Sequence, residues 1–314
     1  MKDITFYDLN FNRLYILPQF AINKGYISAY TRKDFNDVGT LEIVFIDNDL
    51  KKIIIHHRDN LMIEWNGFWG LLSAYRDEPK GVRLTGESLN GILKRIVIPS
   101  TATTLTGNVE ALAYNALKAS APWLKRAVAK GFNTDVNYSS DTYKQADVYI
   151  SELLKLDNAG YEIKADITNK QFVFEVLESK ESNLLLSTNN LNAYEFSEVY
   201  INRTIAHGGW YPKKQNDETV WTYITLDSSL TGVFKKDVVL KATTASEAKQ
   251  ELKAMVADAE TELKTRNVSF GVDYKLGDIV RVQNNDIASK KRITSVIMSQ
   301  ENGYIENPIF SEVE

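Results

Sequence analysis

The first hundred residues alternate between short apolar runs and polar breaks. From Leu41 to Phe45 the bulky apolar residues recur at every second position, which is the period of a strand with one buried face. Asn66-Gly67 predicts a tight hairpin, because both turn positions of this dipeptide accept a positive φ. Other runs predict strands at Thr5–Leu9, Phe11–Leu17, Tyr26–Tyr30, Ile53–His56, Leu61–Trp65, Phe68–Tyr75 and Val82–Leu84. Strands this short and closely spaced indicate a barrel or a sandwich.

Helical periodicity replaces this alternation in the middle of the chain. A short helix is predicted over Ser88–Arg95, and longer helices over Asn108–Ser120 and Asp141–Asn158, where apolar residues recur on one face. Strands are predicted next at Tyr161–Ile167 and Gln171–Leu177. The middle of the chain is therefore predicted to be a small α+β unit.

Strands return in the last third of the chain, interrupted by one long helix. The helix is predicted over Ala245–Lys264, and Thr244 with Glu247 forms a capping box at its start. The strands are predicted at Tyr194–Ala206, Glu218–Leu226, Val233–Leu240, Val268–Val272, Ile279–Val282, Lys291–Gln300 and Tyr304–Phe310, with a turn at Asn302-Gly303. The resulting order is β-rich, helical, β-rich, helical and β-rich. The chain thus alternates between two types of region, although its sequence contains no tandem repeat.

Composition excludes several classes of protein. The 314 residues include no cysteine and three histidines, which excludes disulfide scaffolds, zinc–thiolate sites and thiol nucleophiles. Lys and Arg total 37 against 41 Asp and Glu, so the excess positive charge of a general nucleic-acid binder is missing. No apolar run approaches the length of a transmembrane helix, and the first residues do not form a signal peptide. We expect no specific nucleic-acid binding and no membrane anchor.

The candidate reactive residues do not form a catalytic pattern. His56 and His57 are adjacent on a predicted strand, face opposite sides and cannot easily chelate one metal. His207 precedes Gly208-Gly209, which favours a flexible loop between strands over an oxyanion loop. Between Gly86 and Gly91 the spacing is Walker-like, but the Lys-Ser/Thr of a phosphate loop is missing, which favours a tight turn into a helix. We predict no catalytic, cofactor-binding or metal-binding residues, and no cofactor.

Two surface features have more than one interpretation. Lys213-Lys214 and Lys290-Lys291-Arg292 are basic clusters that favour solvated turns over contacts with an acidic partner or nucleic acid. Trp65, Phe68 and Trp69 flank the predicted hairpin turn and could form an exposed apolar tip. Packing in the core is favoured for two of these three aromatic residues.

Three segments together resemble a known family. The first is Phe35–Ile43, in which an acid and a glycine precede an alternating strand. The second is Val82–Val97, which contains a strand, Gly-x-Ser-Leu and an Ile-Leu pair. The third is Tyr274–Val280, followed by Arg292-Ile293-Thr294. In this order they resemble the siphophage tail-tip or baseplate hub proteins, which are related to the N-terminal region of tail-associated lysins. The resemblance extends over nearly the whole chain, although each segment alone is modest.

The resemblance implies a β-rich α+β fold with two β-barrel-like domains. The first would be residues 1–99 and the second residues 189–314, with a helical α/β insertion at 100–188 on which the helix 245–264 packs. Such hubs form a trimeric ring. Three subunits with two similar barrels each match a six-fold tail tube on one side and remain three-fold on the other.

The function implied is structural and not enzymatic. A homotrimeric hub would close the distal end of the tail tube and open for DNA passage, in contact with the distal tail protein ring, the tape-measure C-terminus and receptor-binding or baseplate proteins. We expect synthesis in the bacterial host cytoplasm and localisation at the virion tail tip. The alternatives are a tail-associated cell-wall hydrolase, against which the missing catalytic pattern counts, and a carbohydrate- or receptor-binding tail module, against which the helical insertion and the motif order count.

Overall fold

A computed structural model describes most of the chain and shows a β-rich α+β protein. The described residues are 3–19, 25–57, 61–100, 104–140, 142–187, 199–201, 206–215, 218–226, 237–257, 260–262, 268–284, 287–301 and 303–313. Their helices are α1 (Asn48–His57), α2 (Val109–Ser120), α3 (Ala146–Lys155), α4 (Ala245–Ala257) and a 3₁₀ helix at Leu89–Arg95. No helix among these residues is long and apolar enough to cross a membrane.

The strands are short and are distributed over the whole chain. They are β1 (Ile4–Asp8), β2 (Arg13–Leu17), β3 (Gly25–Asp34), β4 (Thr40–Ile46), β5 (Leu61–Trp65), β6 (Phe68–Glu78), β7 (Gly81–Ser88), β8 (Val97–Ile98), β9 (Leu105–Asn108), β10 (Lys125–Arg126), β11 (Asp135–Tyr138), β12 (Lys144–Gln145), β13 (Gly160–Asp166), β14 (Gln171–Leu177), β15 (Lys180–Leu186), β16 (Val199–Ile201), β17 (Gly208–Gln215), β18 (Glu218–Thr225), β19 (Asp237–Val239), β20 (Glu260–Glu262), β21 (Asp278–Asn284), β22 (Ile287–Gln300) and β23 (Tyr304–Glu312).

The chain forms two compact units. The first unit contains Met1–Glu181, Val268–Asp278 and Thr294–Pro308, and the second contains Ser182–Asn267, Ile279–Ile293 and Ile309–Glu314. The first unit therefore includes both the predicted first domain, 1–99, and the predicted insertion, 100–188, almost entire. The predicted boundaries 1–99, 100–188 and 189–314 stay a prediction.

The first unit is built on one large sheet. Its strand order is β23-β22-β3-β4-β7-β6-β5-β1-β2, with antiparallel pairing from β22 to β2. The predicted hairpin is confirmed: β5 and β6 are joined by Asn66 at φ 49° and Gly67 at φ 76°. Trp65 and Phe68 face each other across this turn and are both buried, whereas Trp69 is partly exposed, so core packing of two of the three aromatic residues is confirmed.

This sheet is strongly curled. The ring of Trp65 on β5 lies 6.3 Å from the ring of Tyr304 on β23 and 6.4 Å from the ring of Tyr26 on β3. Since five strands separate β5 from β23 in the sheet order, the two strands face each other only because the sheet bends around Trp65. The β-rich α+β class is confirmed by these large sheets and few helices. None of the sheets formed by the described strands closes into a barrel, so the two barrel-like domains stay a prediction.

The helices of the first unit share one hydrophobic core with its strands. Buried residues of α2, α3 and the 3₁₀ helix pack with β13 and β14, and the same cluster includes Met62 and Leu71 from the large sheet. The Asn108 side chain caps α2 by accepting a hydrogen bond from the Ala111 N–H at 2.8 Å. The smaller sheets of this region are β10-β14-β13, β11-β9 and β12-β8. The predicted helix over residues 108–120 and the strands β13 and β14 are confirmed.

The second unit contains the three-stranded sheet β18-β17-β19 and the helix α4. The buried residues Ala248 and Leu252 of α4 cluster with Tyr211 and Leu240. This face of α4 therefore packs on strands of its own unit, where we expected packing on residues 100–188. The strands β22 and β23 each have residues in both units. Their residues in the second unit pair with β21 (residues 287–292 of β22) and with β20 (residues 309–311 of β23), and β20 also pairs with β16.

Three predicted elements are wrong or too long. Residues 53–56 belong to the helix α1 and not to a strand, because the Asp47 carboxylate caps the N–H groups of Asp49 and Leu50 at 2.9 and 3.1 Å. Residues 268–272 form a turn, in which Asp273 accepts the Ser269 N–H at 2.8 Å. The helix α3 begins at Ala146 and not near residue 141, which itself lies outside the described residues.

The long helix of the last third is also shorter than predicted. It ends at Ala257, and Glu260–Glu262 form a strand because they pair with β16 and β23. The predicted strands Tyr194–Ala206 and Val233–Leu240 fall largely outside the described residues, within which Val199–Ile201 and Asp237–Val239 are strands. Asn302 of the last predicted turn also lies outside them.

Candidate functional site

Residues 35–39 join β3 to β4 and form the point at which the three resembling segments meet. We call this loop and its hydrogen-bonded neighbours the junction. Both backbone groups of Phe35 are used there: its N–H donates to the Thr294 carbonyl at 2.7 Å, and its carbonyl accepts the Tyr161 N–H at 2.8 Å. The Phe35 ring is buried as well, so two backbone hydrogen bonds and the packing of the ring hold the start of the loop in place.

Asn36 ties the junction to α3. Its side-chain Nδ2 donates to the Ser151 carbonyl at 3.1 Å, and the Ser151 hydroxyl donates to the Asn36 carbonyl, also at 3.1 Å. The two residues thus exchange two hydrogen bonds over a long sequence separation. A reciprocal pair of this kind sets the distance between the loop and the helix.

Gly39 ties the junction to the end of β7. The Gly39 N–H donates to the Ser88 hydroxyl at 2.9 Å, and the Ser88 N–H donates to the Gly39 carbonyl at 2.8 Å. A Cβ on Gly39 would lie only 2.1 Å from the Arg32 carbonyl oxygen, so this close approach requires glycine. The glycine of the first resembling segment and the serine of the second therefore serve the same contact.

Asn90 links three parts of the first unit through one buried amide. Its Nδ2 donates to the Asp37 carbonyl at 2.9 Å and to the Tyr161 carbonyl at 3.3 Å, and its Oδ1 accepts the Ile163 N–H at 2.8 Å. The 3₁₀ helix, the loop 35–39 and the strand β13 are held together by this side chain. A buried amide with its donors and its acceptor all used is costly to replace.

The third resembling segment reaches the junction through Gly277. This residue has φ +89°, and a Cβ on it would lie 2.5 Å from Phe35 Cε2 and 2.7 Å from the Glu178 carbonyl oxygen. The Ser179 hydroxyl donates to the Gly277 carbonyl at 3.0 Å. The Asp278 carboxylate accepts the Lys275 N–H at 2.8 Å and so closes the turn before Gly277.

A chain of alternating charges runs beside the junction, and we call it the charge chain. Lys33 contacts Glu162 at 2.5 Å, Glu162 lies 3.7 Å from Lys164, Lys164 contacts Glu175, and Glu175 contacts Lys130 at 2.5 Å. Burial alone would raise the pKa of Glu175, but the hydrogen bonds from Lys130 and Lys164 outweigh it and the pKa is lowered. The charge chain therefore ties β3 electrostatically to the hairpin of β13 and β14.

The histidines singled out in the sequence lie away from any metal-binding arrangement within the described part of the chain. His56 and His57 end α1, with their ring centroids 4.7 Å apart, and not a strand. Among the residues that the structure describes, no group of three or more His, Asp or Glu side chains is placed to hold a metal ion. The prediction of no catalytic, cofactor-binding or metal-binding residues stays a prediction.

Three further interpretations need correction. Gly208 and Gly209 begin the strand β17 and are not a flexible loop, and the preceding His207 carbonyl accepts hydrogen bonds from Thr225 Oγ1 and the Leu226 N–H, both at 3.0 Å. Gly86 lies inside β7 and not in a turn. Lys213-Lys214 and Lys290-Lys291-Arg292 lie within β17 and β22 and not in solvated turns, and Lys291 is buried.

Comparison with known proteins gives a fold but no sequence relative. No protein-family model matches the chain, and no curated protein matches it. Among the solved structures that match this chain, three tail proteins with TM-scores near 0.6 match along almost their whole length. A 43 kDa tail protein of prophage MuSo2 from Shewanella oneidensis has a TM-score of 0.60 at 11% identity, covering 99% of this chain and 98% of the other. The chain has a phage tail-protein fold.

Two other tail proteins give the same result. A tail protein from Neisseria meningitidis MC58 has a TM-score of 0.58 at 13% identity, with 99% of this chain and 96% of the other covered. Prophage tail protein gp18 from Listeria monocytogenes EGD-e has a TM-score of 0.58 at 12% identity, with coverage of 99% and 95%. The resemblance to phage tail proteins is thus confirmed at the level of the fold. Within this tail-protein fold, the junction is where the three resembling segments meet.

Proposed function

We propose that this chain is a structural hub protein of a phage tail tip or baseplate, which closes the distal end of the tail tube. The observation that carries the proposal is the whole-chain similarity to three tail proteins, with at least 95% of each of those chains covered. A match over nearly the full length of both chains supports a common architecture and not one shared module.

Such a hub acts by matching the six-fold symmetry of the tail tube to the three-fold symmetry of the tail tip. Three copies in a ring, each with two barrel-like domains, present six similar units to a six-fold tube and three-fold symmetry to the tip. The curled sheet around Trp65, to which residues 1–99 and the strands β22 and β23 contribute, supports a barrel-like first domain. Opening of the ring on contact with the host would let the DNA pass.

The junction supports a mechanical role for the described residues. The side-chain amide of Asn90, the backbone groups of Phe35 and the hydroxyl of Ser88 are used in holding elements together. This arrangement connects the large sheet to the helical region through several hydrogen bonds, which supports a structural role for the chain. We propose that the protein is not an enzyme and works without a cofactor.

The partners follow from the place of a hub at the virion tail tip. They are the distal tail protein ring, the C-terminus of the tape-measure protein, the receptor-binding or other baseplate proteins and two further copies of this chain. We propose no specific nucleic-acid binding for this chain, in agreement with its formal net charge of −4.

Electron cryomicroscopy of the intact particle tests this proposal. We expect density for this fold in a three-fold ring at the distal end of the tail. Native mass spectrometry of the 35.6 kDa chain together with the distal tail protein should give a complex with three copies. A six-fold ring, or a position along the tube and away from the tip, would contradict the hub assignment. Release of soluble fragments from host peptidoglycan by the purified chain would favour a cell-wall hydrolase.

A further inference from the structure

The three-stranded sheet of the second unit has two different faces. On one face the buried Tyr211 and the partly buried Ile224 and Val238 pack against Ala248 and Leu252 of α4. On the other face the side chains alternate with these, as the two-residue period of a strand requires. The sheet is therefore covered by α4 on one face only, as far as the described residues show.

The second face carries aromatic side chains that are unusually exposed. Trp210 is 45% exposed and Trp221 is 52% exposed, and Val239 beside Trp210 is 70% exposed. Trp210 on β17 lies directly opposite Tyr223 on β18 in the antiparallel register. Tyr223 and Trp221 are two positions apart on β18, so the three rings share this face. We call Trp210, Trp221, Tyr223 and Val239 the aromatic face. Apolar area of this kind on a single sheet face indicates a binding surface.

The missing side chain of Gly208 leaves the space that the Tyr223 ring occupies on this face. A Cβ on Gly208 would lie 1.9 Å from the Tyr223 hydroxyl oxygen and 2.6 Å from Cζ, so the ring extends across the backbone of β17. The Tyr223 hydroxyl donates to Asp237 Oδ1 at 2.9 Å, and the Tyr223 and Trp210 ring centroids are 5.1 Å apart. The ring is held at both ends, which makes it a preformed platform and lowers the entropic cost of binding.

Polar groups stand at both ends of the aromatic face. Asp237 lies beside Gly208 at one end, and Lys214 lies opposite Thr219 at the other. Six residue steps separate Gly208 from Lys214, a length of roughly 20 Å along the strand. Among the residues that the structure describes on this face, one carboxylate balances one ammonium group, an arrangement that does not favour a strongly anionic polymer.

We propose that the aromatic face binds a neutral polysaccharide by stacking its sugar rings on Trp210, Trp221 and Tyr223. A pyranose ring presents apolar C–H groups on its faces and hydroxyl groups around its edge. The aromatic face offers the complement, with flat rings in the middle and hydrogen-bonding groups of Asp237, Lys214 and Thr219 at the ends. A neutral chain of such sugars is the class of ligand that fits, and this inference does not depend on the hub role.

Titration of the full chain with neutral hexasaccharides tests the proposal. The probes are hexasaccharides of glucose, galactose, rhamnose and N-acetylglucosamine, and the readouts are tryptophan fluorescence and calorimetry. We expect at least one probe to bind with a Kd below about 1 mM. Trp221→Ala and Trp210→Ala should each weaken this binding about tenfold, since each removes one stacking ring.

Trp123→Ala is the matched control, because Trp123 is 48% exposed and belongs to the first unit. This variant should bind the probe as the unchanged protein does. Tyr223→Phe keeps the ring and removes only the hydrogen bond to Asp237, so it should fold and weaken binding about two- to fivefold. The proposal is overturned if no probe binds below about 1 mM, or if Trp123→Ala weakens binding as much as Trp221→Ala. It is equally overturned if Trp221→Ala leaves sugar binding intact and instead dissociates an oligomer, which would make the face a protein interface.

Discussion

Gly277 lies directly against the ring of Phe35, so close that a Cβ on the glycine would be 2.5 Å from Phe35 Cε2. The two residues belong to resembling segments from opposite ends of the chain. Phe35 also receives the Tyr161 N–H and donates to the Thr294 carbonyl. The contact with Gly277 therefore adds packing on the Phe35 ring to the two backbone hydrogen bonds of this residue.

Gly277→Ala should destabilise the protein strongly. The methyl group would meet the Phe35 ring and the Glu178 carbonyl at a residue whose φ of +89° already disfavours alanine. We expect the free energy of unfolding, measured by urea denaturation, to fall by about 2–4 kcal/mol.

Gly271→Ala is the control for the backbone conformation alone. Gly271 has a similar φ of +82°, but no described atom lies within 4 Å of a Cβ built on it. This variant should lose about 1 kcal/mol, the cost of the left-handed conformation without a steric clash. Equal losses in the two variants would show that contact with Phe35 does not determine stability.

Asn90→Ala should release β13 from the junction. The Ile163 N–H and the carbonyls of Asp37 and Tyr161 would lose their buried partner, which we expect to cost about 2–4 kcal/mol of unfolding free energy. The Ile163 amide should also exchange with solvent faster in the variant. Asn169→Ala removes an exposed amide bonded to Asp166 and should cost less than about 1 kcal/mol. A similar cost for both variants would contradict the role of Asn90.

Elements with a local cause were predictable from the sequence. The Asn66-Gly67 hairpin follows from turn geometry, and α2 follows from its apolar stripe and the Asn108 cap. The helix α1 was missed because its three consecutive isoleucines suggest a strand, whereas the side chain of Asp47 caps the start of a helix. The cap at Asp47 favours a helix more strongly than the short isoleucine run favours a strand. A pattern of apolar residues alone does not show which of the two forms.

Elements that depend on distant partners were not predictable. The sequence at Gly208-Gly209 favours a loop, because glycine pairs usually mark one. The structure shows the reason for each glycine: a Cβ on Gly208 would meet Tyr223, and a Cβ on Gly209 would be 2.7 Å from Leu240 Cδ1. The junction follows the same rule. Its three segments were recognisable one by one, but their meeting at Phe35 depends on long-range backbone hydrogen bonds.

The capping box of α4 can be tested separately. The Glu247 N–H donates to Thr244 Oγ1 and the Thr244 N–H donates to Glu247 Oε2, both at 3.2 Å. Thr244→Ala should lower the local stability of α4 by about 1 kcal/mol, seen as faster hydrogen exchange of its first-turn amides. The neighbouring exposed Ser246→Ala keeps the box and should leave this exchange rate unchanged or slower. Faster exchange in Ser246→Ala would contradict a specific effect of the box.

The charge chain predicts a pH dependence with a definite sign. Because the pKa of Glu175 is lowered in the folded state, its carboxylate stabilises the fold above its unfolded pKa of about 4.3. This contribution is lost as the pH falls through the lower, folded-state pKa. Glu175→Gln should therefore reduce the unfolding free energy near pH 7 by about 1 kcal/mol, since the charge pairs are partly buried.

The difference between Glu175→Gln and the unchanged protein should stay constant from pH 7 down to the unfolded pKa of about 4.3. It should shrink below that pH and disappear once the pH has fallen below the lowered folded-state pKa, because protonated Glu175 and glutamine carry the same charge. Asp77→Asn is the control, since Asp77 pairs with Lys51 at 2.7 Å but its side chain is 62% exposed. This variant should change stability by less than about 0.5 kcal/mol anywhere in this pH range. A stability difference for Glu175→Gln that stays constant across this whole range would mean that packing, and not the charge of Glu175, joins the hairpin of β13 and β14 to the junction.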